Sequence, residues 1–309
     1  MIRIEGLIKD YRVGFTREPK RALSGLDFQL DPGESVALLG PNGAGKTTIL
    51  RILFSLIEAT AGTLMVFGMP HDEHEWRKRA GFLSEFFKPP VFYTGRGFLR
   101  LIGRLQGMAD NLLEARIQEL AETLGLTDVL AHRIGRYSRG MMQKIGLAQA
   151  LVNDPDLLVL DEPTANLDAV ARKRLRDYLA ARKERGKSLL ISSHVLSEVE
   201  GLTDRVVFLL DGKIREQTSM RDLLHPTEKY EIHFRLPPGT KADGWPGPDS
   251  VLHPPSHPGE PEQMEVEGEA AKDQAVQKIV ALGGQILQVS RKQRSLEQQF
   301  LEWVGAARP

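Results

Sequence analysis

The sequence of 309 residues predicts an α/β domain with a buried, mainly parallel sheet, followed by a small α+β domain. Two observations indicate the first domain: short apolar runs alternate with amphipathic helical patterns up to about residue 224, and a helical stretch interrupts them at about residues 86–150. A third marks its end, because 10 of the 18 prolines lie at or after Pro226. Two domains also suit the length, since single cores seldom exceed roughly 250 to 300 residues. We therefore expect domains at residues 1–224 and 225–309.

Four buried strands are expected in the first domain, because each is a short run rich in Val, Ile or Leu that turn residues bound on both sides. They cover residues 35–39, 157–160, 189–192 and 206–210. Helices are expected at residues 47–58 and 170–185, where apolar side chains recur along one helical face. Such alternation is typical of a layered α/β domain. Residues 86–131 carry a helical apolar stripe without a strand pattern, which predicts a helical insertion.

The second domain is expected to be small, because residues 237–261 are too rich in proline and glycine for much regular structure. Segments in which apolar and polar residues alternate predict strands. A segment with apolar residues at helical spacing, followed by two glycines, predicts a helix. The expected strands are residues 230–236, 263–267 and 285–289, and the expected helices are residues 270–282 and 295–304.

The composition excludes several classes of protein. Basic and acidic residues both total 41, so the formal net charge is +0, and residues 226–309 hold 9 basic and 12 acidic residues. Neither part has the basic surface typical of nucleic-acid binding. The absence of cysteine excludes disulfides, thiolate metal sites and cysteine nucleophiles. No apolar run approaches the roughly 18 to 20 residues of a membrane span, and the N-terminus lacks a signal-peptide pattern, so we expect a cytosolic chain.

A glycine-rich segment between the first buried strand and the first predicted helix matches the pattern of a phosphate-binding loop. Backbone N–H groups and the positive helix end would converge there on phosphate oxygens, while Lys46 reaches the β- and γ-phosphates and Thr47 offers its hydroxyl to Mg²⁺. The alternative is a glycine-rich turn without a ligand, which the flanking strand and helix disfavour. The expected nucleotide-binding residues are Gly40, Pro41, Asn42, Gly43, Ala44, Gly45, Lys46, Thr47 and Thr48.

Acidic and histidine side chains follow two other predicted strands. Asp161 ends one strand, where it can hold Mg²⁺, and Glu162 comes next, where its carboxylate can accept a proton from an attacking water. His194 follows the strand at residues 189–192, at the sheet edge where ligands bind in parallel sheets. A lone histidine is more often a structural residue, so its catalytic role depends on that position.

Residues 137–143, with the sequence YSRGMMQ, make the chain resemble the ATP-binding subunit of an ABC transporter over roughly residues 1–224. The resemblance implies a P-loop NTPase fold of the ABC type that binds and hydrolyses ATP. In the family, the signature serine and glycine of one subunit contact the γ-phosphate held by the other, a role that falls here to Ser138 and Gly140. The resemblance also implies that Glu162 is the catalytic carboxylate and that His194 contacts the γ-phosphate.

Two further residues are carried over from the family in the same way. Tyr11 lies where the family has the aromatic ring that stacks on adenine, although a lone tyrosine at a strand end is equally well a structural residue. Asp168 is the acidic residue of the loop that crosses the dimer interface in the family.

Several positions depart from the family pattern. Glu85 stands where the family has a glutamine; a carboxylate can still ligate Mg²⁺ but cannot donate a hydrogen bond when ionised. Tyr137, Arg139 and Met141 differ from the common signature residues. The basic segment at residues 12–21 is longer than the family minimum, and we expect it to be a solvated loop.

The resemblance implies partners as well. Two copies of the chain would enclose two ATP molecules, and their closure and reopening would drive permease subunits encoded as separate chains, with this chain on the cytoplasmic face of the membrane. An aromatic and proline cluster at residues 86–93 either docks a permease helix or packs the insertion's own core. The second domain is similar to the small domain of ABC-2 exporter subunits, which favours export.

Two other functions were weighed against this one. A soluble ABC-type ATPase acting on a ribosome or nucleic acid is disfavoured, because such members carry two cassettes or long coiled coils, and because the charge is balanced. A regulatory module that has lost hydrolysis is disfavoured by the presence of Lys46, Asp161, Glu162 and His194.

Overall fold

The computed structural model describes residues 1–13, 18–223, 226–237, 239–240, 250–253 and 261–293. It divides into two compact units, Met1–Met220 and Arg221–Pro309. Counting only described residues, the larger unit contains two sheets and the smaller unit contains one. Within the described residues, no helix is both long enough and apolar enough to span a bilayer.

An antiparallel sheet begins the larger unit, with the strand order β2-β1-β4-β5. Its strands are β1 (Ile2–Val13), β2 (Glu18–Leu30), β4 (Ala61–Val66) and β5 (Met69–Pro70). We did not predict this sheet, although the start of β1 has its pattern: Ile2 and Ile4 are buried while Arg3 and Glu5 are exposed. Such alternation is typical of a strand with one solvated face.

The predicted loop at residues 12–21 is wrong for its described part. Arg12 pairs with Pro19 and Tyr11 with Lys20 across β1 and β2. Arg21 donates to both carboxylate oxygens of Asp10, at 2.8 and 2.9 Å. Residues 14–17 lie outside the described part of the chain. The Arg21–Asp10 ion pair stabilises this extension of the two strands.

The second sheet has the order β10-β9-β3-β8-β7-β6, parallel from β9 to β6 and antiparallel at β10. The four predicted strands are confirmed to within one residue at each end. They are β3 (Ser35–Leu39), β7 (Leu157–Asp161), β8 (Ser188–Ser193) and β9 (Arg205–Leu210), while β6 (Ala80–Leu83) and β10 (Lys213–Ser219) were not predicted.

Five helices accompany these sheets. They are α1 (Lys46–Leu53), α2 (Gly95–Leu105), α3 (Asp110–Leu124), α4 (Arg139–Leu151) and α5 (Ala169–Glu184). Short 3₁₀ turns cover Glu75–Arg79, Thr127–Val129, Ile134–Arg136 and Leu196–Glu198. Helix α1 ends earlier than the predicted residue 58, because Ser55 has a φ of 53° and leaves the helical region. Helices α2, α3 and α4 follow β6 and precede β7, as expected for an insertion.

One apolar core joins α1 to both sheets, with Leu7, Leu38 and Leu50 fully buried in it. Helix α1 therefore cannot shift without disturbing both sheets, because packed interiors transmit strain. This rigidity fixes the loop between β3 and α1.

The described part of the smaller unit forms an antiparallel sheet, with the order β12-β13-β11-β14, and one long helix. Its elements are β11 (Pro226–Arg235), β12 (Ser250–His253), β13 (Glu262–Glu267), α7 (Glu269–Ala281) and β14 (Gln285–Gln293), after the short α6 (Met220–Leu223). Ile232, Phe234 and Ile279 are buried between sheet and helix. The three predicted strands and the first helix are confirmed, β12 was not predicted, and the predicted helix at residues 295–304 lies outside the described residues.

Candidate active site

The glycine-rich loop lies between the end of β3 and the start of α1. Gly40 and Gly45 have φ values of 153° and 110°, and a Cβ on them would lie 2.3 Å from Leu209 O and 2.8 Å from Leu23 Cδ2. Only glycine fits both positions. No side chain of the described residues caps the N-terminus of α1. The first N–H groups of α1 are therefore left for a ligand, and they favour an anion.

Lys46 is folded back over this loop. Its Nζ donates to Gly40 O at 2.6 Å and to Pro41 O at 3.3 Å, and it lies 3.7 Å from Glu162 Oε1. The side chain is 6% exposed. Burial lowers the pKa of Lys46, while the negative charges of Glu162 and Asp161 oppose that shift. The ammonium group of Lys46 can therefore replace these carbonyl acceptors with phosphate oxygens when a nucleotide binds.

Asp161 is fully buried at the end of β7. Its Oδ1 accepts hydrogen bonds from Ser192 Oγ at 2.5 Å and Thr47 Oγ1 at 3.3 Å. Among the described residues, Oδ2 is buried without any hydrogen-bond partner. A buried, unsatisfied carboxylate oxygen beside a threonine hydroxyl fits a hard divalent cation such as Mg²⁺, which prefers oxygen ligands. The expected pair of Thr47 and Asp161 is thus brought together.

Glu162 follows with a φ of 48°, which is a strained conformation for a residue with a side chain. Its backbone N–H donates to Ser192 Oγ at 3.0 Å. Its Oε2 lies 2.9 Å from His194 Nδ1, and its side chain is only 12% exposed while His194 is 56% exposed. The structure therefore places the expected base and the expected histidine in direct contact.

These groups surround one cleft of about 330 Å³. Glu85 lines it and is exposed. Desolvation raises the pKa of Glu85, and the charges of Asp161 and Glu162 raise it further. The cleft thus brings the buried ammonium group of Lys46 together with the carboxylates of Glu85 and Glu162. Its lining residues are Asn42, Gly43, Ala44, Gly45, Lys46, Thr47, Thr48, Glu85, Glu162, Ala165 and His194.

Three of the expected residues that do not line this cleft lie at helix starts. Ser138 caps α4 by accepting from Met141 N at 3.3 Å, and Asp168 caps α5 by accepting from Ala171 N at 2.8 Å. The Ala171 hydrogen bond lowers the pKa of Asp168. A Cβ on Gly140 would lie 3.0 Å from Asn166 O, so glycine allows the close approach of α4 to that loop. Within this chain, Ser138, Gly140 and Asp168 serve as helix-start residues.

Tyr11 lies beside the cleft rather than in it. Its hydroxyl is 3.5 Å from Thr48 Oγ1, and Lys9 Nζ lies 5.1 Å from its ring centroid. The ring is partly exposed. A flat surface is therefore available next to the start of α1.

The aromatic cluster at residues 86–93 is divided between two environments. The Phe87 ring packs against Phe98 of α2, with centroids 6.1 Å apart. Phe86, Val91 and Phe92 are 63%, 58% and 67% exposed. Packing within the insertion is therefore observed for Phe87, while docking of a permease helix on the exposed side chains stays a prediction.

Two functional contacts were missed by sequence reasoning. Ser192 joins Asp161 to the Glu162 backbone, yet it was assigned only to a strand. Gln143 is buried, and its Nε2 donates to Pro163 O at 3.0 Å, which ties α4 to the loop after Glu162. A polar residue within or just after an apolar segment was the available signal in both cases.

Comparison with known proteins adds to this geometry. A family model described as ABC transporter matches residues 23–165. An uncharacterized ABC transporter ATP-binding protein of Nostoc sp. is 37% identical over 235 residues, which are 75% of this chain and 70% of that protein. The Nod factor export ATP-binding protein I of Burkholderia lata is 39% identical over 196 residues, which are 63% of this chain and 64% of that protein.

A solved structure of a dimeric bacterial ABC transporter cassette is also similar. It has a TM-score of 0.66 and 25% sequence identity, and the match covers 72% of this chain and 99% of the cassette. Similarity to ABC cassettes is thus found in sequence and in fold.

Proposed function

The chain belongs to the ATP-binding subunits of ABC transporters, and from that premise we propose that it powers export through separate membrane permease subunits. It is an ATPase of the P-loop type. We propose further that two copies close around two ATP molecules with Mg²⁺ and reopen after hydrolysis. The chain would then work at the cytoplasmic face of the membrane.

The contact between Glu162 and His194 carries the catalytic part of this proposal. With Nδ1 donating to the Glu162 carboxylate at 2.9 Å, the other ring nitrogen of His194 is available for a phosphate oxygen. Glu162 would accept the proton of the attacking water, and Lys46 would move from its carbonyl partners to the phosphates. Mg²⁺, when bound between Thr47 and Asp161, would neutralise charge that develops on the phosphate oxygens.

The proposed dimer is supported by expected ATP-binding residues that do not line the cleft of their own chain. Ser138 and Gly140 lie at the start of α4, where backbone N–H groups favour an anion, and neither lines the cleft of its own chain. A γ-phosphate bound to a second copy would fit this helix start, and Asp168 at the start of α5 would approach the same interface. Tyr11 would stack on the adenine.

The permease is proposed to dock on the exposed part of the aromatic cluster, namely Phe86, Val91 and Phe92. Exposed apolar side chains that follow one another on a surface favour an interaction site. Export is supported by the similarity to the Nod factor export ATP-binding protein I of Burkholderia lata. Action on a ribosome or nucleic acid is not favoured by the charge of the chain, since the formal net charge is +0.

The variant Glu162→Gln tests the proposal, because glutamine keeps the shape of the side chain but cannot accept the proton. We expect ATP hydrolysis to fall by about 10²- to 10⁴-fold while ATP binding is retained. We also expect ATP to accumulate a dimer in size-exclusion chromatography. Glu200→Gln, at an exposed carboxylate outside the cleft, is the control. Unchanged hydrolysis in Glu162→Gln would contradict the assignment.

The Glu162→Gln variant, carrying an affinity tag, also tests the proposed permease partner. With ATP present, it should elute from detergent-solubilised membranes together with a multispanning membrane protein. Adding Phe86→Ser and Phe92→Ser should remove that protein without altering ATP binding. Co-elution that is indifferent to these two changes would contradict the docking surface.

A further inference from the structure

The loop that carries Glu162 and the loop that carries His194 are joined by the carboxylate of Glu198, a residue that belongs to none of the motifs above. Its Oε2 accepts a hydrogen bond from Thr164 Oγ1 at 2.6 Å and lies 3.1 Å from Ser193 Oγ. Thr164 is two residues after Glu162, and Ser193 directly precedes His194. We propose that Glu198 is a positioning residue that holds the Glu162–His194 pair in its catalytic geometry. The inference rests on the roles proposed above for those two residues.

Ser193 has two acceptors for its single hydroxyl proton. Its Oγ lies 3.1 Å from Glu198 Oε2 and 3.1 Å from Val195 O, and it also accepts from Val195 N at 3.0 Å. A carboxylate is the stronger acceptor, because charge-assisted hydrogen bonds are about twice as strong as neutral ones. The hydroxyl therefore bonds the carboxylate, and one oxygen of Glu198 spans both loops.

Glu198 does not reach the nucleotide cleft. It lines a separate groove of about 520 Å³ together with Thr164 and Arg172, and the groove and the cleft share none of their lining residues. Its other oxygen, Oε1, lies 4.0 Å from Arg172 Nη1 on α5, and its side chain is 18% exposed. Glu198 therefore acts from behind the loops, through the residues that it holds.

The backbone of the first loop explains why such an anchor is needed. Glu162 and Asn166 have φ values of 48° and 62°, which residues with side chains seldom adopt. Thr164 lies midway between them. Strained residues keep their conformation only when surrounding contacts determine it. The Thr164–Glu198 hydrogen bond supplies such a contact, and a displacement of about 1 Å at a catalytic group costs roughly 10²-fold in rate.

The variant Glu198→Ala tests the inference in the purified full chain with ATP and Mg²⁺. We expect kcat to fall about 10- to 100-fold, with KM for ATP and the thermal midpoint close to wild type. Glu198→Gln should recover most of the activity, because the amide oxygen can accept from both hydroxyls. Glu200→Ala, two residues on and exposed in the same groove, is the matched control and should behave as wild type.

A double-mutant cycle separates this role from a general structural one. Thr164→Val should lower kcat in the wild-type background but have little further effect in Glu198→Ala, because the contact is already lost. Wild-type kcat in Glu198→Ala would overturn the inference. So would a parallel change of kcat, KM and thermal midpoint that Glu198→Gln does not repair. Normal hydrolysis in Glu162→Gln would instead overturn the proposed function itself.

Discussion

Strand β7 has carboxylates at both ends, and the protein surrounds the two groups differently. Asp154 and Asp156 precede the strand. Asp154 Oδ1 lies 2.5 Å from Arg182 Nη1 and 3.8 Å from Arg116 Nη2, and Lys187 Nζ donates to Asp156 Oδ1 at 2.9 Å. Burial works to raise the pKa of Asp154, but the neighbouring cations outweigh it and the pKa is lowered. The hydrogen bond from Lys187 lowers the pKa of Asp156.

At the other end of β7, the carboxylates are left incompletely paired. Asp161 Oδ2 has no hydrogen-bond partner among the described residues, and the nearest cation, Lys46, lies 3.7 Å from Glu162. Burial lowers the pKa of that lysine. The first end of the strand is thus neutralised by the chain itself, whereas the second end leaves charge for a ligand. The difference teaches that an incompletely paired group at the carboxyl edge of a parallel sheet indicates function, while a fully paired one contributes stability.

Removing the cation at the second end should affect binding far more than stability. We expect Lys46→Ala to weaken ATP binding by at least about 100-fold, because charge-assisted hydrogen bonds to phosphate contribute about 1.5 to 3 kcal/mol each. The free energy of unfolding should change far less than ATP binding, because burial already disfavours the ammonium form of Lys46, as its lowered pKa shows. Titration calorimetry and urea denaturation measure the two effects. Lys78→Ala, 62% exposed, is the control, and normal affinity in Lys46→Ala would contradict the phosphate-loop assignment.

Breaking the Asp154–Arg182 ion pair at the first end of β7 should affect stability far more than ATP binding. We expect Asp154→Asn to lower the free energy of unfolding by about 2 to 3 kcal/mol, because Arg182 is 4% exposed and would lose its main anion. Asparagine tolerates the φ of 46° at this position, so backbone strain does not confuse the result. ATP affinity should stay unchanged.

The matched control is Asp110→Asn, which breaks an exposed pair with Arg104. Both side chains of that pair are more than 60% exposed, so the loss should be much smaller than in Asp154→Asn. A loss of ATP affinity in Asp154→Asn, or a stability equal to that of Asp110→Asn, would show that the two ends of β7 do not differ in the way described.

The sequence predicts the functional residues at the second end of β7 but not the ion pairs at its first end. The phosphate loop, Asp161, Glu162 and His194 were predictable, because each follows an apolar strand and the carboxyl ends of parallel strands meet at one edge. Asp154 and Asp156 carry the same type of charge as Asp161. Their neutralising partners come from distant helices, as with Arg116 of α3, and sequence spacing does not show such pairing.

The same limit applies to the other contacts that were missed. Ser192 and Glu198 bridge segments about 30 residues apart, so the sequence does not show which residues they contact. The antiparallel sheet was missed because β1 pairs with β4 some 60 residues later. Strand β12 was missed because it is four residues long and lies within a segment rich in proline and glycine.

The smallest expected effect concerns Glu85, which lines the nucleotide cleft. Its contribution to stability should depend on pH in the opposite sense to those of Asp154 and Asp156 at the first end of β7. Because the folded-state pKa of Glu85 is raised, the ionised carboxylate destabilises the protein above that pKa, and the cost disappears as pH falls to the ordinary value of about 4.5. Glu85→Gln should therefore be more stable than wild type at pH 7, by less than about 1 kcal/mol since the side chain is exposed. This gain should shrink as pH is lowered.

The carboxylates at the first end should respond in the opposite sense. The pKa values of Asp154 and Asp156 are lowered, so their stabilisation is complete above the ordinary value of about 3.8 and is lost only as pH falls through the folded-state values. The deficit of Asp154→Asn should thus be constant from pH 7 to about 4, while the gain of Glu85→Gln declines over the same range. Urea denaturation at pH 7, 6, 5 and 4 measures both, with Glu200→Gln as the control. A gain in Glu85→Gln that grows as pH falls would contradict the raised pKa of Glu85, which desolvation and the charges of Asp161 and Glu162 produce.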